Sequence, residues 1–224
     1  MLFKARLLPG KAFLILAASL VTAAAGAFQV PKTTFVAFDI ETTGFSGKKG
    51  RIVEIGVVKF RGGEIIEKQS WLVNPGIPIP PMSQQVHGIT DAMVTNAPAF
   101  KEVYPQFAEF IDDAVLVAHN AGFDIRFIEA ETKRNAFDPP DNDVIDTLKL
   151  SRKRHPEIKR HGLESLSRHF SLGTQGFHRG LTDAVHVKDL FLVLTQDDAG
   201  DISDLLDLAG RAFKKPDCVV PPKP

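Results

Sequence analysis

One cysteine, one tryptophan and one tyrosine are all that this chain of 224 residues holds of those three types. The lone thiol, Cys218, excludes a disulfide framework, a cysteine-rich zinc site and an iron–sulfur cluster. Excess charge is missing too, because 27 basic and 27 acidic residues cancel. No global field then recruits nucleic acid or an anionic membrane, so a polyanion must be gripped by a local basic patch or through bound metal. Internal repeats are absent. With 44% hydrophobic and 24% charged residues, the chain has the composition of a globular domain and not of a disordered or fibrous one. Its aromatic content lies almost wholly in seventeen phenylalanines.

The start of the chain differs from the rest. Lys4, Arg6 and Lys11 precede an uncharged run from Ala12 to Ala25, and Ala25-Gly26-Ala27 puts small residues where a signal peptidase reads. This pattern predicts a secretory signal peptide over residues 1–27. The run is shorter than the roughly 20 apolar residues that span a bilayer, so no membrane attachment is expected after its removal. The expected location is periplasmic or secreted. A misassigned start site is the alternative reading, and it leaves the protein cytoplasmic.

Thr33 to Ile40, Arg51 to Phe60 and Glu64 to Val73 read as strands, with Gly62-Gly63 as a turn, and predict an antiparallel meander. Asn74-Pro75-Gly76 breaks the sheet, and a proline-rich crossing runs through Pro81. Phe100, Val103, Phe107, Phe110 and Ile111 recur at helical spacing, as a core-facing stripe does. A strand at Val115–Ala118, a helix at Phe123–Arg134 and a strand at Val144–Asp146 follow. Leu163–Phe170 and Leu181–Thr195 read as helices, and Asp201–Phe213 is amphipathic. The expected fold is α/β, a mixed five-stranded sheet of meander plus parallel strands flanked by helices. It occupies residues 28–195, and residues 196–224 form a C-terminal helix and a proline-rich tail.

The chemistry is concentrated in acids. Asp39 and Glu41 lie two apart on an apolar strand and point to one face. Unpaired charges on a buried strand are costly, which calls for a cation, and oxygen ligands suit divalent metals. Taken alone, a strand end whose acids reach solvent explains the pair equally simply. Asp124 follows a buried strand, where active sites of open α/β sheets lie. His178 falls in a loop, and Asp183 in the first turn of a helix, where it could merely favour the helix N-terminus. Together Asp39, Glu41, Asp124, Asp183 and His178 supply the inventory of a two-metal phosphodiesterase.

Asp39-Ile40-Glu41-Thr42-Thr43-Gly44, His119-Asn120-Ala121-Gly122-Phe123-Asp124 and His178-Arg179-Gly180-Leu181-Thr182-Asp183 together resemble the three motifs of the DEDDh exonuclease family, and in particular its polymerase III proofreading branch. Val86-His87-Gly88-Ile89, Asp146-Thr147-Leu148 and Leu163-Glu164-Ser165-Leu166 agree as landmarks, and the likeness covers about residues 33 to 195. Gly180 departs from the alanine of many relatives, with no catalytic consequence expected. The resemblance implies a ribonuclease H-like fold and a metal-dependent enzyme that hydrolyses single-stranded nucleic acid from a free 3′ end to nucleoside 5′-monophosphates. It further implies that Asp39 bridges two Mg²⁺ or Mn²⁺ ions, that Glu41 and Asp183 complete one site, and that Asp124 supports the other. A sister class uses tyrosine in place of the third-motif histidine. The single tyrosine, Tyr104, lies between the first and second motifs, so His178 is the expected base. An imidazole of ordinary pKa, about 6.5, is neutral and basic near pH 7.

Substrate contacts are expected, as in relatives, from Thr43, Gly44 and Phe45, with Phe123 able to stack on a base; core packing is an equal alternative for both phenylalanines. His87 and Asn120 are candidate sugar or phosphate contacts, although Asn120 could instead only tie down its loop, and His119 is read as structural. Arg152, Lys153, Arg154, Lys159, Arg160 and Arg168 form the densest basic cluster, either a phosphate patch or a solvated surface. The expected partner is single-stranded DNA, favoured over RNA, with no stable polymerase partner. One alternative is an RNA-trimming exonuclease of the same family. The other is a non-catalytic nucleic-acid binder on a nuclease scaffold.

Overall fold

Alternation along one strand decides how both sides of the molecule fill. The computed structural model describes residues 33–198 and 202–213, and its first strand is β1 (Phe35–Thr42). Phe35 and Ala37 face one side and Val36, Phe38 and Ile40 the other, and all five are buried. The chain continues as an antiparallel meander, β2 (Ile52–Arg61) and β3 (Glu64–Leu72). Two short helices, α1 (Pro81–His87) and α2 (Asp91–Val94), precede α3 (Phe100–Ile111). Then come β4 (Val115–Ala118), α4 (Gly122–Arg134), β5 (Val144–Asp146) and α5 (Thr147–Arg154). Helices α6 (Leu163–His169), α7 (Gly180–Leu194) and α8 (Ile202–Ala209) lead into β6 (Gly210–Arg211).

The sheet order is β3-β2-β1-β4-β5-β6, with β1, β4 and β5 parallel and the other pairings antiparallel. On one face Val36, Phe38 and Ile40 pack with Val103, Phe107 and Phe110 of α3 and with Ile125, Phe127 and Ile128 of α4. On the other, Phe35 and Ala37 meet Leu150, Leu166, Val187, Leu190, Phe191 and Leu205 from the four C-terminal helices. Each fully buried Val, Leu, Ile or Phe among them contributes about 1.5–3 kcal/mol. Tyr104 is buried in the first of these cores, its hydroxyl donating to Asp138 O at 2.6 Å.

The fold class is as expected, a mixed sheet between helices with ribonuclease H-like architecture. The strand number is corrected from five to six. The amphipathic segment stops being helical at Ala209, and Gly210–Arg211 then pairs with β5. Three helices were not anticipated: α1, α2 and α5. The signal peptide and the proline-rich tail fall outside the described residues, among which no helix is long and apolar enough to cross a membrane.

Candidate active site

Asp39 and Glu41 continue the row begun by Phe35 and Ala37, and therefore face α7. Helix α7 carries Asp183 in its first turn. The three acids each offer an oxygen, and these oxygens lie within 4.8 Å of one another. Asp124 comes from the other layer. It sits in the first turn of α4, just past the end of β4, the parallel neighbour of β1. This is the crevice beyond the carboxyl ends of parallel strands where open α/β sheets hold ligands.

The close approach of α7 depends on paired glycines. Gly56 lies opposite Asp39 in the β1–β2 register. A Cβ on Gly56 would fall 2.0 Å from Gly180 C, so any side chain there would push the start of α7 off the sheet.

Electrostatically the acids are in conflict. Burial, then the charges of Asp124, Asp183, Glu41 and Glu54, push Asp39 well above the ordinary aspartate range. Burial and Asp183 push Glu41 up to about 8. Burial also raises Asp124 to about 8, although its own amide and that of Ile40 work against the rise. Asp183 is raised by burial despite the bond it accepts from the His178 amide. None of the four makes an ion pair among the described residues. Asp183 Oδ1 is buried without a hydrogen-bond partner. Converging oxygens, an orphaned carboxylate atom and like charges without counter-ions fit a bound divalent cation.

His178 is exposed, with φ at 66°, a left-handed conformation that is uncommon for a side chain other than glycine. Its amide donates to Asp183 Oδ2 at 3.0 Å, so the imidazole and the acid belong to one turn. Asn120, in the second motif, also has positive φ, 64°. Its amide donates to Asp146 Oδ1 at 3.1 Å, and its side chain is exposed.

The other expected residues divide cleanly. Phe45 is 88% exposed and packs in no core, whereas Phe123 is half-buried against Phe127 with ring centroids 4.9 Å apart. Gly44 lies between Phe45 and Thr43, with no atom within 4 Å of where its side chain would begin. Thr43 is buried, and its hydroxyl accepts the Arg51 amide at 2.9 Å. His87 is buried with both ring nitrogens engaged. Nδ1 accepts from Ile89 N at 3.0 Å, which leaves Nε2 to donate to Thr42 O at 3.3 Å, and burial lowers its pKa. His119 likewise bonds Thr147 Oγ1 and His161 O, and burial holds it down at about 4. In the basic cluster, Arg154 pairs with Asp198 at 2.8 Å and Arg168 with Glu164 at 2.5 Å. Arg152, Lys153, Lys159 and Arg160 are exposed and make no ion pair among the described residues.

Sequence reasoning passed over Glu54. It lies opposite Glu41 on β2 and is buried. Its carboxylate accepts from Arg179 Nη2 at 2.9 Å, Arg179 Nε at 3.1 Å, Gly180 N at 2.9 Å and Ser70 Oγ at 2.9 Å. Burial would raise it, but the bonds from Arg179 and Gly180 outweigh burial and hold it below the ordinary glutamate value. The signal was available: an acid inside the apolar run of β2 demands a partner.

A ribonuclease H-like sheet that gathers four acids beside a histidine turn defines a metal-dependent phosphodiester hydrolase. The chain belongs to the exonuclease family (RNase_T), which it matches over residues 36–191, and it is of the DEDDh 3′→5′ type. It is 38% identical over 164 residues to the DNA polymerase III subunit epsilon of Aquifex aeolicus, covering 73% of this chain and 81% of that one. It is 40% identical over 162 residues to the PolC-type DNA polymerase III of Caldanaerobacter subterraneus subsp. tengcongensis. That match covers 72% of this chain but spans only 12% of the polymerase. Exonuclease X in complex with 5′ overhanging duplex DNA superposes with a TM-score of 0.66 at 29% identity, covering 78% of this chain and 98% of that one. Escherichia coli exonuclease I with a dT13 oligonucleotide shares the fold, with a TM-score of 0.66 at 17% identity over 73% of this chain and 41% of that one. The sequence relatives are DNA polymerase III proteins, and this kinship contradicts the expectation of a periplasmic or secreted location.

Proposed function

We propose that the protein removes nucleotides from the 3′ end of single-stranded nucleic acid, DNA in preference to RNA, releasing nucleoside 5′-monophosphates. The observation that carries this reading is the convergence of Asp39, Glu41 and Asp183 oxygens within 4.8 Å, with no basic side chain ion-paired to them among the described residues. Asp39, Glu41 and Asp183 would hold one divalent ion, and Asp39 with Asp124 a second, Mg²⁺ or Mn²⁺. Such ions, when bound, neutralise charge that develops on the attacking and leaving oxygens of the phosphodiester. His178, held out to solvent at the mouth of the site, takes the proton of the attacking water. Phe45, exposed after the first motif, offers a face on which the terminal base stacks. The exposed Asn120 side chain would reach sugar or phosphate, and Arg152, Lys153, Lys159 and Arg160, exposed and without ion pairs among the described residues, would hold the incoming strand. Thr43 and His87 are committed to bonds that brace the end of β1. The preference for DNA rests on the polymerase III relatives and on the duplex DNA in the exonuclease X complex.

The test is digestion of matched 5′-labelled DNA and RNA oligomers in Mg²⁺ or Mn²⁺. A ladder shortening from the 3′ end, faster on DNA and stopped by a chelator, is expected. Asp39→Ala lowers the rate on the order of 10⁴-fold or more. Faster RNA digestion refutes the DNA preference, and failure to release monophosphates refutes the nuclease.

A further inference from the structure

The third motif supplies both an acid and a base, and its turn is gripped from two sides. Upstream, Phe177 stacks on His186 of α7 with centroids 4.3 Å apart. Downstream, Arg179 and the Gly180 amide converge on the Glu54 carboxylate, which spends both oxygens on them and on Ser70. Between these two anchors stands His178, exposed and in a left-handed conformation. Glu54 is the fifth acid of the region, facing Glu41 directly across the β1–β2 ladder, and at first sight it looks like one more cation ligand. Its hydrogen bonds say otherwise. A carboxylate that accepts four protein donors has no lone pair in good geometry left for a metal ion.

Resting on the nuclease reading above, we propose that Glu54 is the positioning residue of the site. Through a two-pronged bond to Arg179 and a bond to the Gly180 amide, it locks the His178 turn onto β2, and it ligates no metal. Guanidinium–carboxylate forks fix orientation as well as distance. The clamp makes up for what the turn otherwise lacks, since an exposed left-handed residue has little packing to hold it. It also eases the placing of a carboxylate opposite Glu41, because the Arg179 charge offsets part of the repulsion. Arg179 is 44% exposed on its side chain while Glu54 is 3% exposed, so the clamp is anchored from within and read out at the surface.

Two variants test this. Glu54→Gln keeps the shape but puts an NH₂ where one oxygen accepted, so the fork cannot survive intact. Arg179→Gln opens the same fork from the exposed side, and keeps the test valid should the buried change prevent folding. Each is expected to lower kcat by between about tenfold and 10²-fold, with KM for a short oligonucleotide within about threefold of the parent. The double variant is no slower than the worse single one, because both remove one device. Mn²⁺ affinity, measured by calorimetry without substrate, stays within about tenfold of the parent value in all three, the span that one lost neighbouring charge accounts for. Amide hydrogen exchange of the metal-free protein speeds up at His178 in both single variants and is unchanged in α3. Mn²⁺ binding weakened by more than about tenfold in Glu54→Gln makes Glu54 a ligand and overturns the proposal. Losses that multiply, parent-level turnover, or an unchanged His178 amide overturn it as well. A parent protein that releases no monophosphate sinks the nuclease reading alone, since the exchange measurement reports on the clamp without turnover.

Discussion

Helix α4 buries two acids two turns apart and treats them in opposite ways. Glu131 is answered within the chain: Arg134 Nη1 lies 3.1 Å away and Arg51 Nε 4.0 Å away. Burial raises its pKa, and the two guanidinium groups pull it back only in part. Arg134 also donates to the carbonyls of Gly47 and Lys48, tying α4 to the loop behind Phe45. Asp124 has no ion-pair partner among the described residues and stands beside Asp39 instead. One acid is built in as structure. The other is a carboxylate to which no basic side chain is ion-paired among the described residues, and under the proposed function that difference marks the end of the helix that faces the metal site.

The sharpest break between them is in turnover. Asp124→Asn is expected to lower it on the order of 10³-fold or more, yet to raise the melting temperature of the metal-free protein at pH 8, because a destabilising charge is gone. A melting temperature that falls would place Asp124 with Glu131 and erase the contrast. His178→Ala comes next, with a loss of about 10²–10⁴-fold in kcat. Its Mn²⁺ affinity should match the parent's in calorimetry, and a lost affinity would move His178 from base to ligand.

A smaller effect follows from pH. Glu41 and Asp124 are raised to about 8, above the ordinary carboxyl values of the unfolded chain. Groups raised on folding contribute stability at low pH that is lost as pH climbs through the folded value. Metal-free protein should therefore melt several degrees lower at pH 8.5 than at pH 5, and Mn²⁺ should close more of the gap at the higher pH. Equal Mn²⁺ stabilisation at both pH values counts against the acids as its site. The smallest change belongs to Glu131→Gln, which should cost about 1–3 kcal/mol of stability in denaturant unfolding while leaving kcat within about fivefold of the parent.

The gathered acids were legible because each breaks a local pattern: Asp39 and Glu41 interrupt a β-branched, aromatic strand, and Asp124 and Asp183 fall at helix starts. What was missed had weak or ambiguous patterning. Helix α1 hides in a proline-rich stretch, where Pro81 at its first turn starts a helix instead of preventing one. Helix α5 is mostly polar, and of its eight residues only Thr147, Leu150 and Ser151 are buried, so no apolar period reveals it. The Asp146 cap, which accepts from the Leu148 and Lys149 amides, was its one available sign. The fate of Phe45 and Phe123 had to wait for the fold, since one phenylalanine looks like another until the core is drawn. Glu54 was overlooked for the opposite reason to the other four acids. Its partner Arg179 lies far along the chain, and no short-range spacing connects them.

The two-residue strand β6 has a practical side. It covers the outer flank of β5, with Lys149 Nζ on Gly210 O at 3.0 Å and Arg211 Nε on Asp146 Oδ2 at 3.1 Å as rivets. The family match stops at residue 191, which invites trimming the gene near that point for expression. Such a fragment would bare the amides and carbonyls of β5 as a template for a neighbouring chain. It would precipitate or pair with itself for reasons unrelated to catalysis.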